Sequence, residues 1–239
     1  MTVITRTERV EAPTGDFFDA HTVVPAAGGG PGIMLLQEIY GVGEFLRSKA
    51  SVLADLGYTV LVPDAFWRVE RNVSLAHDEA SLQLAFIYMG RFSEIPNDVT
   101  TGDLVAALAH LRALPEVTGK VAVMGYCLGG RLAYEVAAAS DPDACVSYYG
   151  SGVAAELDLA DRITCPVLFH FGGSDPYISR EEIDAVRAAF AGRRGSEVVI
   201  QEEAGHAFEN SFAPMFSVPS AAATSWPITV SFLERTLRS

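Results

Sequence analysis

Short apolar runs alternate along most of the chain with stretches whose apolar positions recur every three to four residues. Runs that are apolar on both faces predict buried strands, and the recurring pattern between them predicts helices. Two earlier stretches of mixed polarity predict strands at an antiparallel edge. The predicted strands are residues 2–10, 17–24, 32–36, 58–62, 121–124, 144–149, 167–171 and 198–202, and the predicted helices are residues 45–56, 99–114, 128–139 and 180–191.

The order of these elements predicts the fold class. Strands that alternate with helices form a parallel sheet that is covered on both faces. We therefore expect an α/β fold with a mostly parallel central sheet, flanking helices on both faces and antiparallel strands at the amino-terminal edge. A chain of 239 residues with 49% hydrophobic content can bury one sizeable core. We expect a single domain over residues 1–239.

Two segments do not follow the alternation. Aromatic and basic residues at about 65–95 have no clear period, and insertions at the carboxyl ends of parallel strands usually frame a ligand crevice. We interpret this segment as a lid or pocket wall, although a plain surface excursion fits nearly as well. Residues 210–233 form an uncharged run that is long enough to span a bilayer. Three prolines within it favour a loop and the start of a helix instead.

Charge and cysteine content narrow the function classes. The net charge of −13 arises from 30 acidic and 17 basic residues without a basic block, which repels nucleic acid and anionic membranes. The amino terminus is charged, and no apolar stretch of signal-peptide length follows, so we expect a cytoplasmic protein. Three cysteines give neither disulfide density nor metal-ligand spacing. Two of them, Cys145 and Cys165, lie in apolar runs and are interpreted as core residues.

The third cysteine lies in the sequence Gly-Tyr-Cys-Leu-Gly-Gly at residues 125–130, between a predicted buried strand and a predicted helix. A sharp strand-to-helix turn of this kind exposes its middle residue, here Cys127. The glycines allow the strand and the helix to cross closely. Partial positive charge at the start of the helix favours the thiolate. A buried structural cysteine is the alternative, but the motif favours a catalytic nucleophile.

A cysteine nucleophile requires a base and a group that orients the base. His206 directly follows the last predicted strand, and Asp175 follows the strand before it. Asp175 alone is also compatible with a turn before proline. However, Cys127, Asp175 and His206 each follow a different strand, in the order nucleophile, acid, histidine that one hydrolase fold uses. A structural role is favoured for the other four histidines, which are His21, His77, His110 and His170.

Four motifs together resemble the dienelactone hydrolase family, a branch of the α/β-hydrolase fold. They are Gln-Glu-Ile-Tyr-Gly at residues 37–41, the cysteine turn at 125–130, Gly-Ser-Asp at 173–175 and Gly-His-Ala-Phe at 205–208. The resemblance covers the chain from about residue 32 to its final helix. It implies hydrolysis of cyclic enol esters such as carboxymethylenebutenolide, without metal or cofactor, in the degradation of aromatic compounds.

The resemblance also implies roles for individual residues. Cys127 matches the nucleophile, His206 the base and Asp175 its orienting partner. Glu38 matches a glutamate that switches the thiol to the thiolate when substrate arrives. The backbone N–H groups of Ile39 and Leu128 match the oxyanion hole. The candidate substrate-pocket residues are Tyr40, Trp67, Tyr88, Arg91, Phe208 and Asn210.

One departure from the family pattern concerns the substrate. The family carries a carboxylate-binding arginine four residues after the catalytic histidine, whereas this chain has Asn210 there, beside Glu209. An amide cannot replace a bidentate charge-assisted contact. Either an arginine of the segment at 65–95 compensates or the substrate is neutral and more apolar, and we favour an altered substrate. The candidate arginines are Arg68, Arg71 and Arg91.

The choice of cysteine favours an activated ester. A thiolate is a better leaving group than an alkoxide, so the tetrahedral intermediate of a simple alkyl ester tends to revert, whereas an enol ester, aryl ester or thioester collapses forward. Two alternatives stay open. The first is a carboxylesterase or thioesterase with the same Cys-His-Asp triad, and the second is a non-catalytic protein of this fold that binds a small ligand. The physiological substrate and the oligomeric state, monomer or homodimer, are not predicted.

Overall fold

The computed structural model describes residues 3–238, so Thr2 of the predicted first strand lies outside the described residues. Contacts divide the chain into two compact units, residues 1–121 and residues 122–239. The expectation of a single domain over residues 1–239 stays a prediction. The two units are described in turn.

The first unit contains four complete strands: β1 (Ile4–Glu11), β2 (Phe17–Val24), β3 (Gly30–Leu36) and β4 (Thr59–Pro63). β1 pairs antiparallel with β2, and β2 pairs antiparallel with β4. β3 and β4 are parallel. All residues of β4 are buried, whereas β1 is mostly exposed, as expected for a strand at an edge.

The second unit continues from β5 (Val117–Tyr126), which runs across the boundary between the units. β5, β6 (Ala144–Tyr148), β7 (Val167–Gly172) and β8 (Glu197–Gln201) pair in this order and are all parallel. The eight strands belong to one sheet. The predicted fold class, a mostly parallel sheet with an antiparallel amino-terminal edge and flanking helices, is confirmed.

Within residues 3–238, five helices and one 3-10 segment lie between strands, and a sixth helix follows the last strand. Four of these helices, α1, α3, α4 and α5, agree with the predicted helices to within two residues at each end. The helices are α1 (Glu44–Asp55), α2 (Glu79–Ser93), α3 (Asn97–Ala113), α4 (Leu128–Ala139), α5 (Arg180–Ala189) and α6 (Pro219–Leu237), and the 3-10 segment is Val153–Arg162.

Helix α2 was not predicted because its apolar side chains do not lie on one buried face. Only Ala85 and Phe92 are buried, while Phe86 and Ile87 are 49% and 52% exposed. The helical part of the segment at 65–95 therefore carries no amphipathic signal.

In the tail, α6 begins at Pro219, a favoured first position for proline, and continues through Pro227. Residues 210–218 form a loop and the helix begins within the run, so the predicted loop and helix start are confirmed. None of the helices within residues 3–238 is both long enough and apolar enough to cross a membrane.

Candidate active site

Cys127 occupies a strained turn between β5 and α4. Its backbone angles, φ 53° and ψ −118°, lie outside the regions that residues with a Cβ atom ordinarily adopt. The Cys127 N–H donates to the carbonyl of Tyr148 in β6 at 3.0 Å, and the Cys127 carbonyl accepts from the N–H of Gly130 at 2.9 Å. These contacts hold the backbone in a conformation that it would otherwise leave.

The glycines of the turn are required by close backbone contacts. A Cβ atom on Gly125 would lie 2.0 Å from the carbonyl oxygen of Gly129, and one on Gly130 would lie 2.6 Å from that of Tyr148. Real Cβ atoms do not approach backbone oxygens so closely. The spacing of glycines in the sequence therefore reflects the crossing of β5 and α4 at this turn.

His206 and Asp175 form a buried pair in the loops that follow β8 and β7. Nδ1 of His206 lies 2.8 Å from Oδ2 of Asp175, and the two residues are 8% and 9% exposed. The second carboxylate oxygen of Asp175 accepts the N–H of Tyr177 at 2.8 Å. The two loops are joined by a backbone hydrogen bond of 3.0 Å from Ser174 to Ala204. Asp175 thus has a fixed orientation, and it fixes the tautomer of the imidazole.

The side chain of Cys127 completes this arrangement. Burial lowers the pKa of His206, but the negative charge of Cys127 and hydrogen bonds to Asp175 and Cys127 outweigh burial and raise it to about 10. A histidine with such a pKa is protonated when the thiolate is present. The structure thus brings Cys127, Asp175 and His206 together within the second unit, as the sequence order predicts.

Aromatic rings surround the imidazole. The rings of Tyr149 and Tyr177 lie 5.2 Å and 5.1 Å from the ring of His206, measured between centroids. Phe208 packs against Tyr149 at 5.3 Å and against Tyr148 at 6.3 Å. Phe208 is completely buried, so it supports the histidine loop from the core. Its predicted contact with substrate stays a prediction.

Asn210 and Glu209 are also buried, at 1% and 3% exposure. The side-chain oxygen of Asn210 accepts the N–H of Phe212 at 2.9 Å, which closes a local turn. Glu209 accepts a hydrogen bond of 2.9 Å from the hydroxyl of Ser225 on α6. The carboxylate beside Asn210 therefore holds α6 against the histidine loop.

Glu38 lies in the first unit, directly after β3, with 4% exposure. One of its carboxylate oxygens lies 3.6 Å from Nε2 of His77, and the ring of Tyr40 lies 4.2 Å from the ring of His77. Ile39, the predicted oxyanion residue, is 7% exposed. Sequence reasoning assigned a structural role to His77 and did not connect it with Glu38. The two segments are distant in sequence, so no local pattern indicated their contact.

The segment at 65–95 begins with residues that are anchored to β2 and α3. The ring of Trp67 stacks on Phe18 at 5.4 Å, and its indole N–H donates to Asp103 at 3.0 Å. The guanidinium of Arg68 makes two contacts with the same carboxylate, at 2.6 Å and 2.9 Å. Arg71 donates to a backbone carbonyl of β2 at 2.9 Å. Two of the three candidate compensating arginines thus have structural partners in the first unit.

The other predicted pocket residues of this segment lie on α2. Tyr88 is half-buried, and its ring lies 6.4 Å from the ring of Phe66. Arg91 is exposed in the last turn of the helix, where its charge complements the helix dipole. Of the three arginines considered as replacements for the family's carboxylate-binding arginine, Arg91 is the one that is exposed on a helix.

The remaining cysteines differ from each other. Cys145 is completely buried, as predicted, and burial raises its pKa well above the usual value. Cys165 is only partly buried, so the prediction that it is a core residue is wrong. It lies in the loop before Pro166 and not in β7. Burial raises the pKa of Cys165 to about 12. Both are poor nucleophiles at neutral pH.

The sequence model of the dienelactone hydrolase family matches residues 18–237. The chain belongs to this family. A carboxymethylenebutenolidase of a Pseudomonas species is 36% identical over 227 residues, covering 95% of this chain and 93% of the relative. A carboxymethylenebutenolidase of Pseudomonas putida is 34% identical over 225 residues, covering 94% of each chain. The predicted resemblance is confirmed, and this dienelactone hydrolase family member is an enzyme that acts on ester bonds.

A solved structure gives the same fold. The dienelactone hydrolase of Anabaena variabilis superimposes with a TM-score of 0.73 at 18% identity, over 99% of this chain and 100% of that chain. At this identity the likeness concerns the fold alone.

Proposed function

We propose that this protein is a cysteine-nucleophile hydrolase that cleaves an activated, enol-lactone-like ester through an acyl-enzyme. The observation that carries the proposal is the linked set of Asp175, His206 and Cys127, with a 2.8 Å contact between the first two and a hydrogen bond between the Cys127 side chain and the imidazole. A strained backbone presents the nucleophile.

In the proposed first half-reaction, the Cys127 thiolate attacks the ester carbonyl, and a carbon–sulfur bond forms while the carbonyl π electrons move to oxygen. Collapse of this intermediate breaks the carbon–oxygen bond and expels the enolate, which takes the proton held by His206. In the second half-reaction, His206 removes a proton from water as the water attacks the thioester. The carboxylic acid then departs and the thiolate is restored. Asp175 keeps the imidazole oriented throughout.

The developing oxyanion requires N–H donors. Leu128 is the first residue of α4, and a backbone N–H at that position has no acceptor within its own helix. We assign it as one donor and, from the family resemblance, the N–H of Ile39 as the other. Glu38 is assigned, on the same basis, as the carboxylate that converts the thiol to the thiolate when substrate arrives.

The proposed substrate is an activated ester other than simple dienelactone. Asn210 stands where the family carries its carboxylate-binding arginine, and its side-chain oxygen is already used by Phe212. Tyr40, Trp67, Tyr88, Arg91 and Phe208 stay candidate pocket residues. The proposed reaction uses no metal or cofactor. We further propose that the protein is cytoplasmic and takes part in the degradation of aromatic compounds. Its partner is a small-molecule substrate, not nucleic acid or a membrane, and its oligomeric state is a monomer or a homodimer.

The decisive test removes the nucleophile. Cys127→Ala should abolish turnover of an aryl ester such as p-nitrophenyl acetate, whereas Cys165→Ala, which removes another free thiol, should keep wild-type kcat/KM. Mass spectrometry after rapid quenching should find the mass of one acyl group on the wild type and none on Cys127→Ala. Turnover by Cys127→Ala with an unchanged circular dichroism spectrum would remove the cysteine from the mechanism.

The same assay separates the substrate classes. An enol lactone or aryl ester should be turned over much faster than its ethyl ester counterpart, because the thiolate cannot easily expel an alkoxide. Adding a carboxylate to the substrate should give little gain, since Asn210 offers no guanidinium. A preference for thioesters indicates the thioesterase alternative, and equal turnover of ethyl and enol esters indicates a general carboxylesterase. Binding without turnover of any ester indicates a ligand-binding protein.

A further inference from the structure

In the first unit, the segment that follows β3 is joined by backbone hydrogen bonds to a segment that follows β4. The N–H of Val42 donates to the carbonyl of Val73 at 2.8 Å, and the N–H of Leu75 donates to the carbonyl of Tyr40 at 2.9 Å. Between them, Gly41 has φ +79°, and a Cβ atom there would lie 2.1 Å from the Val73 oxygen. Residues 38–43 and 72–77 are thus held in one fixed register.

This register places His77 opposite Glu38. The distance between Nε2 of His77 and Oε2 of Glu38 is 3.6 Å, and each side chain is 5% exposed. The ring of Tyr40 covers the imidazole at 4.2 Å between centroids. The ionisable groups among the residues that line this small cleft are Glu38, Tyr40 and His77; the other lining residues are Gly41, Gly43, Phe45 and Leu46.

Asp78, the charged residue next to His77 in the sequence, contacts its own helix. Asp78 is the N-cap of α2, and its carboxylate accepts the N–H of Ser81 at 2.8 Å. Arg47 of α1 donates to the carbonyl of Val42 at 3.1 Å and contacts His21 at 3.4 Å. At this cleft the imidazole of His77 therefore faces the carboxylate of Glu38.

The distance itself is informative. A buried carboxylate is unstable as an anion unless a positive charge or hydrogen-bond donors stabilise it. At 3.6 Å the imidazole is close enough for charge attraction but too far for a hydrogen bond. A partner at this distance restricts where the carboxylate can lie.

We propose that His77 is a positioning residue that holds the Glu38 carboxylate in place for its task. The inference rests on the proposed function, in which Glu38 converts the Cys127 thiol to the thiolate. His77 does not touch the reacting atoms in this scheme. It acts through the carboxylate, from the segment that follows β4.

The test is a double-mutant cycle with a matched control. Against p-nitrophenyl acetate, His77→Gln should lower kcat/KM about 10- to 100-fold, the range for losing a partner of a charged group. In the Glu38→Gln background, His77→Gln should have no further effect. The control is His110→Gln, because His110 faces Glu8 at 3.4 Å in a partly exposed pair of the same unit. That variant should stay within about twofold of the wild type.

The pH profile of kcat/KM distinguishes the proposed role from a purely structural one. If the proposal is right, the acidic limb of the profile should move to higher pH in His77→Gln, because the carboxylate is harder to ionise without its partner. A folded His77→Gln protein with an unchanged profile, or single-variant effects that multiply in the double variant, would overturn the inference. Either of these two contradicting results could occur while Cys127→Ala is inactive, so they would leave the proposed function intact. Turnover by Cys127→Ala, by contrast, would reject the proposed function itself.

Discussion

Two buried histidines of the second unit have opposite electrostatic surroundings. His206 is 8% exposed and contacts Asp175 and Cys127, and their charges and hydrogen bonds raise its pKa to about 10. His170 in β7 is fully buried and lies 2.9 Å from the hydroxyl of Thr229, with its ring stacked on Tyr148. Burial alone lowers the pKa of His170 to about 3.

The comparison separates the effect of burial from the effect of partners. Burial disfavours the imidazolium at both positions. At His206 the neighbouring side chains of Cys127 and Asp175 reverse the outcome, whereas the hydroxyl near His170 offers no charge. A buried histidine therefore has a raised pKa where the fold places anionic groups beside it and a lowered pKa where it does not. His170 stays neutral at physiological pH and serves the core.

The largest expected difference between the two histidines is catalytic. His206→Gln and Asp175→Asn should each lower kcat/KM for an aryl ester by about 10³- to 10⁴-fold, because the proton shuttle or its orientation is lost. His170→Gln, with its amide near Thr229, should stay within a few-fold of the wild type. Steady-state kinetics on the three purified variants make the measurement.

The outcome has a clear opposite. If His170→Gln is as inactive as His206→Gln while its unfolding temperature is unchanged, burial rather than charged partners defines the functional histidine. The contrast drawn from the two pKa directions would then fail.

The second difference concerns stability against pH. The pKa of His170 is lowered from 6.5 to about 3, so the unfolded chain binds a proton below pH 6.5 that the folded chain does not. Stability should fall with decreasing pH by up to about 1.4 kcal/mol per pH unit in this window, or about 2 kcal/mol at pH 5. Urea unfolding of the wild type and His170→Gln at pH 7.5 and 5.0 should show this loss in the wild type alone.

His206 provides the matched control because its effect has the opposite sign. Its raised pKa contributes stability that is fully present below pH 6.5 and is lost as the pH rises through about 10. His206→Gln should therefore keep the acid-side loss and change the alkaline side. The same acid-side slope in the wild type and in His170→Gln would show that other groups control the acid limb.

The sequence predicted most of the fold because the signals of its elements are local. β2 and α4 agree with their predicted bounds at both ends, and the antiparallel edge follows from the mixed polarity of β1 and β2. Helix α2 escaped prediction because Phe86 and Ile87 face solvent, so its apolar residues carry no period. The loop and the helix start in the tail agree with the prediction, because prolines among Ser and Thr favour both.

The candidate site divides in the same way. Cys127, Asp175 and His206 were found from sequence because strand ends of a parallel sheet lie at one edge, which a linear pattern can indicate. The contact of His77 with Glu38 joins residues 39 positions apart, and the hydrogen bond of Trp67 to Asp103 joins residues 36 positions apart. Nothing local in the sequence distinguishes these side chains from solvent-exposed ones. Only the folded backbone brings each pair together.

The smallest predicted effect concerns the strain at Cys127, whose φ of 53° contrasts with the ordinary backbone of the helix that follows. A Cβ atom in such a conformation costs on the order of 1–3 kcal/mol, whereas glycine adopts it readily. Cys127→Gly should be more stable than Cys127→Ala by about 1 kcal/mol, after the larger entropy of the unfolded glycine chain is subtracted. Both variants lack the thiol, so the comparison isolates the backbone effect of the Cβ atom.

Thermal unfolding of the two variants measures this difference, and Ala139→Gly at the other end of α4 supplies the control. Ala139 is exposed in regular helix, so glycine there should lower stability by up to about 1 kcal/mol. Opposite signs at the two ends of one helix would show that the turn stores strain in order to present the thiol. If glycine is destabilising at both positions, the backbone of Cys127 is relaxed, and the hydrogen bond with His206 alone orients the sulfur.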